Sequence, residues 1–182
     1  MIIKEVIQVG NKIIRTKARV VTNPKAKSVQ DIITDLVDSM RYHKLVGMAA
    51  PQIGKSVRVF VTEIRKTKLR KGQSKNDFDP LRIFINPHIV SLSKDKKSDW
   101  EGCGSVASSN LFAMVKRPIS LEVEAFDKYG NKFRLRAENL LARVIQHEAD
   151  HLNGIIFSDK ADTSTYMSRN EYFKMRAKRV KK

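Results

Sequence analysis

The chain has a single cysteine, and none of its apolar runs approaches the roughly 20 residues that cross a lipid bilayer. One cysteine cannot form an internal disulfide, so we expect a reducing compartment such as the cytoplasm. The first residues also lack the apolar stretch of a secretory leader, and nothing in them supports the alternative of an organellar location. We expect no membrane partner.

Acidic and aromatic residues are also few. The chain has 19 acidic residues against 36 lysines and arginines, so its net charge is +17, and the excess is concentrated in segments 66–75 and 169–182. Such a field attracts polyanions, although a solvated basic surface is an equally good interpretation. Aromatics make up 7% and form no stacking ladder, so we do not expect a sequence-specific nucleic-acid binder.

The apolar residues suffice for the core of one domain, since they make up 41% of the 182 residues. Apolar spacing predicts a helix capped by Ser28 and extending to Met40. Alternation predicts strands over residues 57–61, 83–85, 119–126 and 132–136. Strands mainly before one motif-bearing helix predict an α+β fold, with antiparallel sheets packed around that central helix.

Residues 147–151 read His-Glu-Ala-Asp-His. Residues four apart lie on one face of a helix, so His147 and His151 can bind one ion. Glu148 then lies beside the ion and can take a proton from an attacking water and return it to a leaving amine. The alternative is a pair of ordinary core histidines, which leaves Glu148 buried without a counter-charge.

Cys103 lies between Gly102 and Gly104, where the backbone can come near a ligand. One thiolate and two imidazoles leave a fourth metal position open for water, which is typical of a catalytic site. A thiolate suits a soft ion such as ferrous iron or zinc. Two other interpretations are a small buried apolar residue and a nucleophile with a histidine base.

Two more residues of the motif helix are polar and near the ligands. Arg143 lies one turn before His147, and we predict a supporting role with Glu101 or Asp150 as its partner. Asp150 is predicted to anchor the ring nitrogen of a ligand or to cap nearby backbone.

Three segments resemble the motifs of the peptide deformylase family: Leu-Val-Gly-Met-Ala-Ala-Pro-Gln at 45–52, Glu-Gly-Cys-Gly-Ser at 101–105, and Gln-His-Glu-Ala-Asp-His-Leu at 146–152. Their order and separations are also similar, so the resemblance spans roughly residues 5 to 160. It implies a metal-dependent hydrolase that removes the N-formyl group from N-formylmethionyl nascent polypeptides. It further implies a catalytic domain over 1–163 and a basic C-terminal helix or tail over 164–182.

The resemblance also implies roles for single residues. The implied metal is ferrous iron in vivo, with zinc, nickel or cobalt as alternatives. The metal ligands would be Cys103, His147 and His151, and the acid/base would be Glu148. The donors to the formyl oxygen would be the Gln52 side chain and the Gly104 N–H, and the backbone that pairs with an extended peptide would be Val46, Gly47 and Gly102.

Two positions depart from the family pattern, which usually has glycine where this chain has Leu45 and leucine where it has Gly104. A side chain at 45 would narrow the cleft or change the first turn, while Gly104 keeps its N–H donor. The resemblance gives the tail a partner, the ribosomal RNA near the exit tunnel. The alternatives are a divergent relative with an altered substrate or a mainly ribosome-binding role, and an endopeptidase with the same ligands.

Overall fold

The computed structural model describes residues 3–66 and 78–180. The basic stretch at 67–75 and the last two residues of the tail lie outside them. The helices of the described part are α1 (Lys27–Tyr42), α2 (Asn139–Leu152) and α3 (Arg169–Val180). Its strands are β1 (Gly47–Ala49), β2 (Val59–Ile64), β3 (Asp79–Leu92), β4 (Lys96–Gly102), β5 (Leu111–Pro118), β6 (Ser120–Phe126), β7 (Lys132–Glu138) and β8 (Ala161–Ser168).

The strands form two antiparallel sheets, one in the order β1-β2-β3-β6-β7 and one in the order β4-β5-β8. The prediction of an α+β fold with antiparallel sheets is therefore confirmed. Helix α2 carries the His-Glu-Ala-Asp-His motif and contacts strands of both sheets. Strands β1 and β4 are edge strands of different sheets, which matters for the site between them.

Two apolar clusters hold the helices on the larger sheet. The buried side of α2 packs against the stacked rings of Phe60 and Phe84, whose centroids are 4.5 Å apart. The apolar stripe of α1 packs on β1 and β2 through residues that include Ile33, Leu36 and Met40. Burying these side chains supplies most of the free energy that holds the helices in place.

The sequence-based elements differ in accuracy. The strands predicted at 119–126 and 132–136 match β6 and β7, and those at 57–61 and 83–85 fall on parts of β2 and β3. Helix α1 begins at Lys27 with Ala26 as its N-cap, so the prediction of Ser28 as the cap was wrong. Ser28 lies inside the first turn, where its hydroxyl cannot cap the helix that already contains it.

None of the helices in the described parts of the chain is long and apolar enough to cross a bilayer.

Candidate active site

Helix α2 ends where the sequence supplies a stop. Asn153 is the C-cap, and Gly154 follows in the left-handed region with φ of 75°. A Cβ at residue 154 would overlap the carbonyl oxygen of Arg15, so only glycine fits this turn. The helix therefore ends at Leu152, and the turns that carry His147 and His151 are fixed beneath the cleft.

The structure brings the three predicted ligands together. The Cys103 sulfur and one ring nitrogen each of His147 and His151 all lie within 4.8 Å of one another. The distance from the Cys103 Sγ to the His151 Nε2 is 3.1 Å, and both residues are buried. One thiolate and two imidazoles at this spacing fit a divalent transition metal with one open position.

The charges of the site favour a thiolate beside positive charge. Burial by itself would raise the pKa of the Cys103 thiol, but His151 and His147 hold it well below its usual range. Burial would lower the pKa of His147, but its hydrogen bonds with Cys103 and Glu101 raise it well above the ordinary value. A divalent cation would supply positive charge at the same place.

Glu148 lies beside the three predicted ligands. Its side chain is buried, and its Oε2 has no hydrogen-bond partner in the described part of the chain. Burial raises its pKa to about 7, against the opposing charges of His147 and His151. A Cβ at residue 47 would overlap the Oε1 of Glu148, so Gly47 is what allows β1 to come this close. The carboxyl group can therefore take and return a proton near neutral pH.

Gln52 is held in one orientation on the short 3-10 helix Ala50–Ile53. The Ala49 N–H donates to its Oε1 at 2.8 Å, which turns the Nε2 towards the Cys103 sulfur, 3.7 Å away. A Cβ at Gly104 would lie 3.8 Å from that Nε2. The amide of Gln52 and the backbone of Gly104 are thus close together at the metal-ligand cluster.

Glu101 is the centre of a buried ionic network. Arg117 donates to both of its oxygens, at 2.6 and 3.0 Å, and Arg143 donates to its Oε1 at 2.6 Å. The His147 Nδ1 lies 3.0 Å from its Oε2, which leaves the Nε2 of that ring for a metal. The prediction that Arg143 would pair with Glu101 or Asp150 is resolved in favour of Glu101.

Asp150 contacts Arg117 at 2.7 Å and Lys160 at 2.6 Å. The prediction that it anchors a ligand's ring nitrogen or caps backbone was wrong, because its carboxylate pairs with these two cations. Arg117 was missed in the sequence. The alternation along β5 offers the signal, since it places Arg117 on the same buried face as Ala113 and Val115.

A cleft of about 580 Å³ opens above the ligands, between β1 and β4. The predicted substrate-binding residues Val46, Gly47 and Gly102 all line it. In the described residues β1 pairs only with β2 and β4 only with β5, so each has one edge without a strand partner. An extended peptide can add to such edges by main-chain hydrogen bonds.

Helix α3 forms a wall of the same cleft, which the sequence did not indicate. Tyr172 is buried and stacks on Phe112 with ring centroids 4.2 Å apart, and Met175 and Arg176 also line the cleft. A Cβ at Gly102 would lie 2.8 Å from the Phe112 ring, so this aromatic wall requires a glycine on β4.

Comparisons with known proteins agree with this geometry. The model of the polypeptide deformylase family matches residues 3–166. Peptide deformylase 2 of Nostoc sp. is 33% identical over 177 residues, which cover 97% of this chain and 96% of the relative. The Met-Ala-Ser-bound class I type b peptide deformylase of Acinetobacter baumannii is similar with a TM-score of 0.80 and 25% identity, over 87% of this chain and 98% of that one. The actinonin complex of peptide deformylase from Ehrlichia chaffeensis is similar with a TM-score of 0.79 and 27% identity. That match covers 100% of this chain and 97% of that one.

Proposed function

The chain belongs to the polypeptide deformylase family, and from that premise we propose how its residues carry out the reaction. As a member it is a metal-dependent hydrolase that removes the N-formyl group from N-formylmethionyl polypeptides. The proposed assignment of roles rests on one observation. The thiol of Cys103 and the rings of His147 and His151 converge beside Glu148, whose Oε2 has no partner among the described residues.

Cys103, His147 and His151 are the proposed metal ligands. A divalent ion there would polarise the formyl carbonyl and lower the pKa of a water at the open position. The thiolate favours ferrous iron as the native metal, and zinc, nickel and cobalt also suit the donor set. Glu101 supports this arrangement because it holds the His147 ring by its Nδ1, at 3.0 Å.

Glu148 is the proposed acid and base. As the oxygen of water forms a bond to the formyl carbon, its carboxylate takes a proton from that water. When the carbon–nitrogen bond breaks, the same proton passes to the amine nitrogen, so the products are formate and a free amino terminus. A pKa of about 7 supports this role, because it lies near the operating pH where proton transfer in both directions is efficient.

Gln52 and Gly104 are the proposed donors to the formyl oxygen. That oxygen gains negative charge only when water has added to the carbon, so fixed N–H groups aimed at it stabilise the transition state. The bond from the Ala49 N–H fixes the Gln52 amide in advance. Removing one such donor typically lowers the rate by about 10²–10³.

The substrate is proposed to bind as an extended strand between β1 and β4, beside Val46, Gly47 and Gly102. Pairing through the backbone does not depend on most substrate side chains, which suits an enzyme that acts on many different polypeptides. The Acinetobacter relative was solved with Met-Ala-Ser bound, which supports a peptide ligand in this cleft.

We further propose that residues 1–163 are the catalytic unit and that the basic segment 164–182 binds ribosomal RNA near the exit tunnel. Strand β8 crosses this boundary and Tyr172 of α3 lines the cleft, so the proposed division concerns only which residues react and which bind RNA. Lys174 and Lys178 are exposed on α3, on the side away from the buried Tyr172. A cytoplasmic location is proposed because the formylated substrate arises there during translation.

The test is formate release from formyl-Met-Ala-Ser by protein prepared anaerobically with iron. We expect turnover by the parent and by His88→Ala, an exposed control. His151→Ala should lose both turnover and stoichiometric metal. Cleavage of internal peptide bonds without formate release would indicate an endopeptidase instead. Ribosome pelleting at low and high salt tests the proposed partner separately.

A further inference from the structure

Gly104 is a glycine for a reason other than backbone conformation. The glycines in the left-handed region in the described residues are Gly10, Gly54, Gly130 and Gly154, and Gly104 is not among them. Its backbone could therefore carry a side chain without strain. The reason for a glycine at this position must therefore lie in the atoms that surround it.

That space is filled by two apolar side chains from outside the loop. A Cβ at Gly104 would lie 3.1 Å from the Leu45 Cδ1 and 3.2 Å from the Val6 Cγ1. Both distances are shorter than the roughly 3.5–4.0 Å at which carbon atoms attract each other. A methyl group at 104 would require Leu45 or Val6 to shift by a few tenths of an ångström, and a larger side chain would have to displace one of them.

The backbone that carries each of these two side chains is held by hydrogen bonds. The Leu45 N–H donates to the Met40 carbonyl at 2.9 Å, and its own carbonyl accepts from Arg65 at 3.1 Å. Close to Val6, the Ile7 N–H donates to the Gln52 carbonyl at 2.8 Å. These bonds fix the backbone on both sides of the gap, and Leu45 and Val6 also pack against the cluster under α1.

We propose that Leu45 is a positioning residue that acts through Gly104. The Leu45 side chain covers the 103–105 loop from the β1 side and holds the Gly104 N–H in place. It thereby supplies the apolar bulk that a side chain at residue 104 would otherwise supply. The two departures from the family pattern are then coupled: the leucine side chain is at residue 45 and the glycine is at residue 104, where the family usually has the reverse. This inference rests on the proposed role of the Gly104 amide as a donor to the formyl oxygen.

A double-mutant cycle tests the pair, with kcat and KM measured on formyl-Met-Ala-Ser. We expect Gly104→Leu to lower kcat by about 10²-fold or more, because the new side chain displaces the donor. Leu45→Gly should lower kcat by about 10-fold, because water reaches a donor that acts best in a dry site. The double variant should return to within about 3-fold of the parent, because it conserves volume. KM should change little, as expected for a contact made in the transition state.

Gly102→Ala is the matched control. Its added methyl group would meet the Phe112 ring and not Leu45. Adding Leu45→Gly should therefore rescue Gly104→Leu and leave Gly102→Ala unrescued. Rescue of both glycine variants, or singles whose effects simply multiply in the double, would overturn the pairing.

Failure of the proposed function would look different. If the parent released no formate, the role of the donors would fail, while the pairing would still be tested by urea unfolding of the same four proteins. A higher midpoint for the double variant than for Gly104→Leu supports the packing of Leu45 on Gly104. An equal or lower midpoint contradicts it.

Discussion

Helices α2 and α3 both carry many charged side chains, but they hold them in opposite ways. In α2, Arg143, Glu148 and Asp150 are buried. Arg143 pairs with Glu101, and Asp150 pairs with Arg117 and Lys160. In α3, Lys174 and Lys178 are exposed, and only the aromatic side is buried. A buried charge needs a defined partner, whereas exposed charges together create an electrostatic potential over the surface. The comparison therefore predicts sharp, site-specific effects in α2 and small, salt-dependent effects in α3.

The largest effect should come from Glu148→Gln in α2. The amide keeps the shape of the carboxyl group but cannot take up the proton of the water. We expect kcat for formate release to fall by about 10²–10⁴, with the bound metal retained. Metal content by elemental analysis is the control. Turnover at the parental rate would show that another group moves the proton.

The next largest effect concerns the buried network that Arg117 makes with Glu101 and Asp150. Arg117→Met removes the cation that Glu101 and Asp150 share, while Arg143 and Lys160 stay beside them. The free energy of unfolding should therefore fall by roughly 3 kcal/mol, the lower end of the cost of an unpaired buried charge. Urea unfolding measures the change. Arg134→Met is the matched control, since Arg134 pairs with Glu122 at 2.6 Å on an exposed surface and should change stability little. Equal losses in both variants would refute the contrast between buried and exposed charge.

A smaller effect is expected in the pH dependence of the metal-free protein. In the unfolded chain Glu148 loses its proton near the ordinary value of about 4.5, whereas its folded pKa is raised to about 7. Between these values the folded state holds one more proton, so stability falls as pH rises through this window. The contribution is at most about 3 kcal/mol. Glu148→Gln should flatten the slope between pH 5 and pH 7 in urea unfolding of chelator-treated protein. A slope equal to that of the parent would show that Glu148 titrates normally.

The smallest effect should come from α3. Lys174→Gln with Lys178→Gln should weaken ribosome pelleting and lower the slope of log K against log salt, by roughly 0.7–0.9 for each phosphate that the helix no longer neutralises. Turnover of formyl-Met-Ala-Ser should not change. Lys25→Gln with Lys27→Gln, on an exposed surface before and at the start of α1, is the control pair. A similar decrease in both pairs would mean that net charge alone drives the association.

The grouping of His147 with His151 and the strands β6 and β7 could be predicted because their signals are local. His147 and His151 are one helical turn apart, and the turn between β6 and β7 is encoded by neighbouring residues. Strands β4, β5 and β8 were not predicted. The sequences of β4 and β8 are largely polar, and the pairing of β8 with β5 joins segments that are far apart in the chain. Local periodicity carries no information on such partners.

The residues that support the site could not be predicted for the same reason. Arg117 reaches Glu101 only because β4 and β5 pair in one register. The Leu45 side chain meets Gly104 only after the two edge strands have taken their places. Both contacts depend on tertiary structure, so the sequence could show that Leu45 and Gly104 were unusual but could not show that they touch.

Helix α2 contacts strands of both sheets, and it also carries His147 and His151. This one helix therefore sets both the gap between β1 and β4 and the spacing of the two histidines. An inserted residue or a kink within α2 would change the width of the peptide channel and the ligand geometry at the same time. Insertions in the outer turns, such as that between β6 and β7, leave both unchanged, and this is where we expect chains of this family to differ in length.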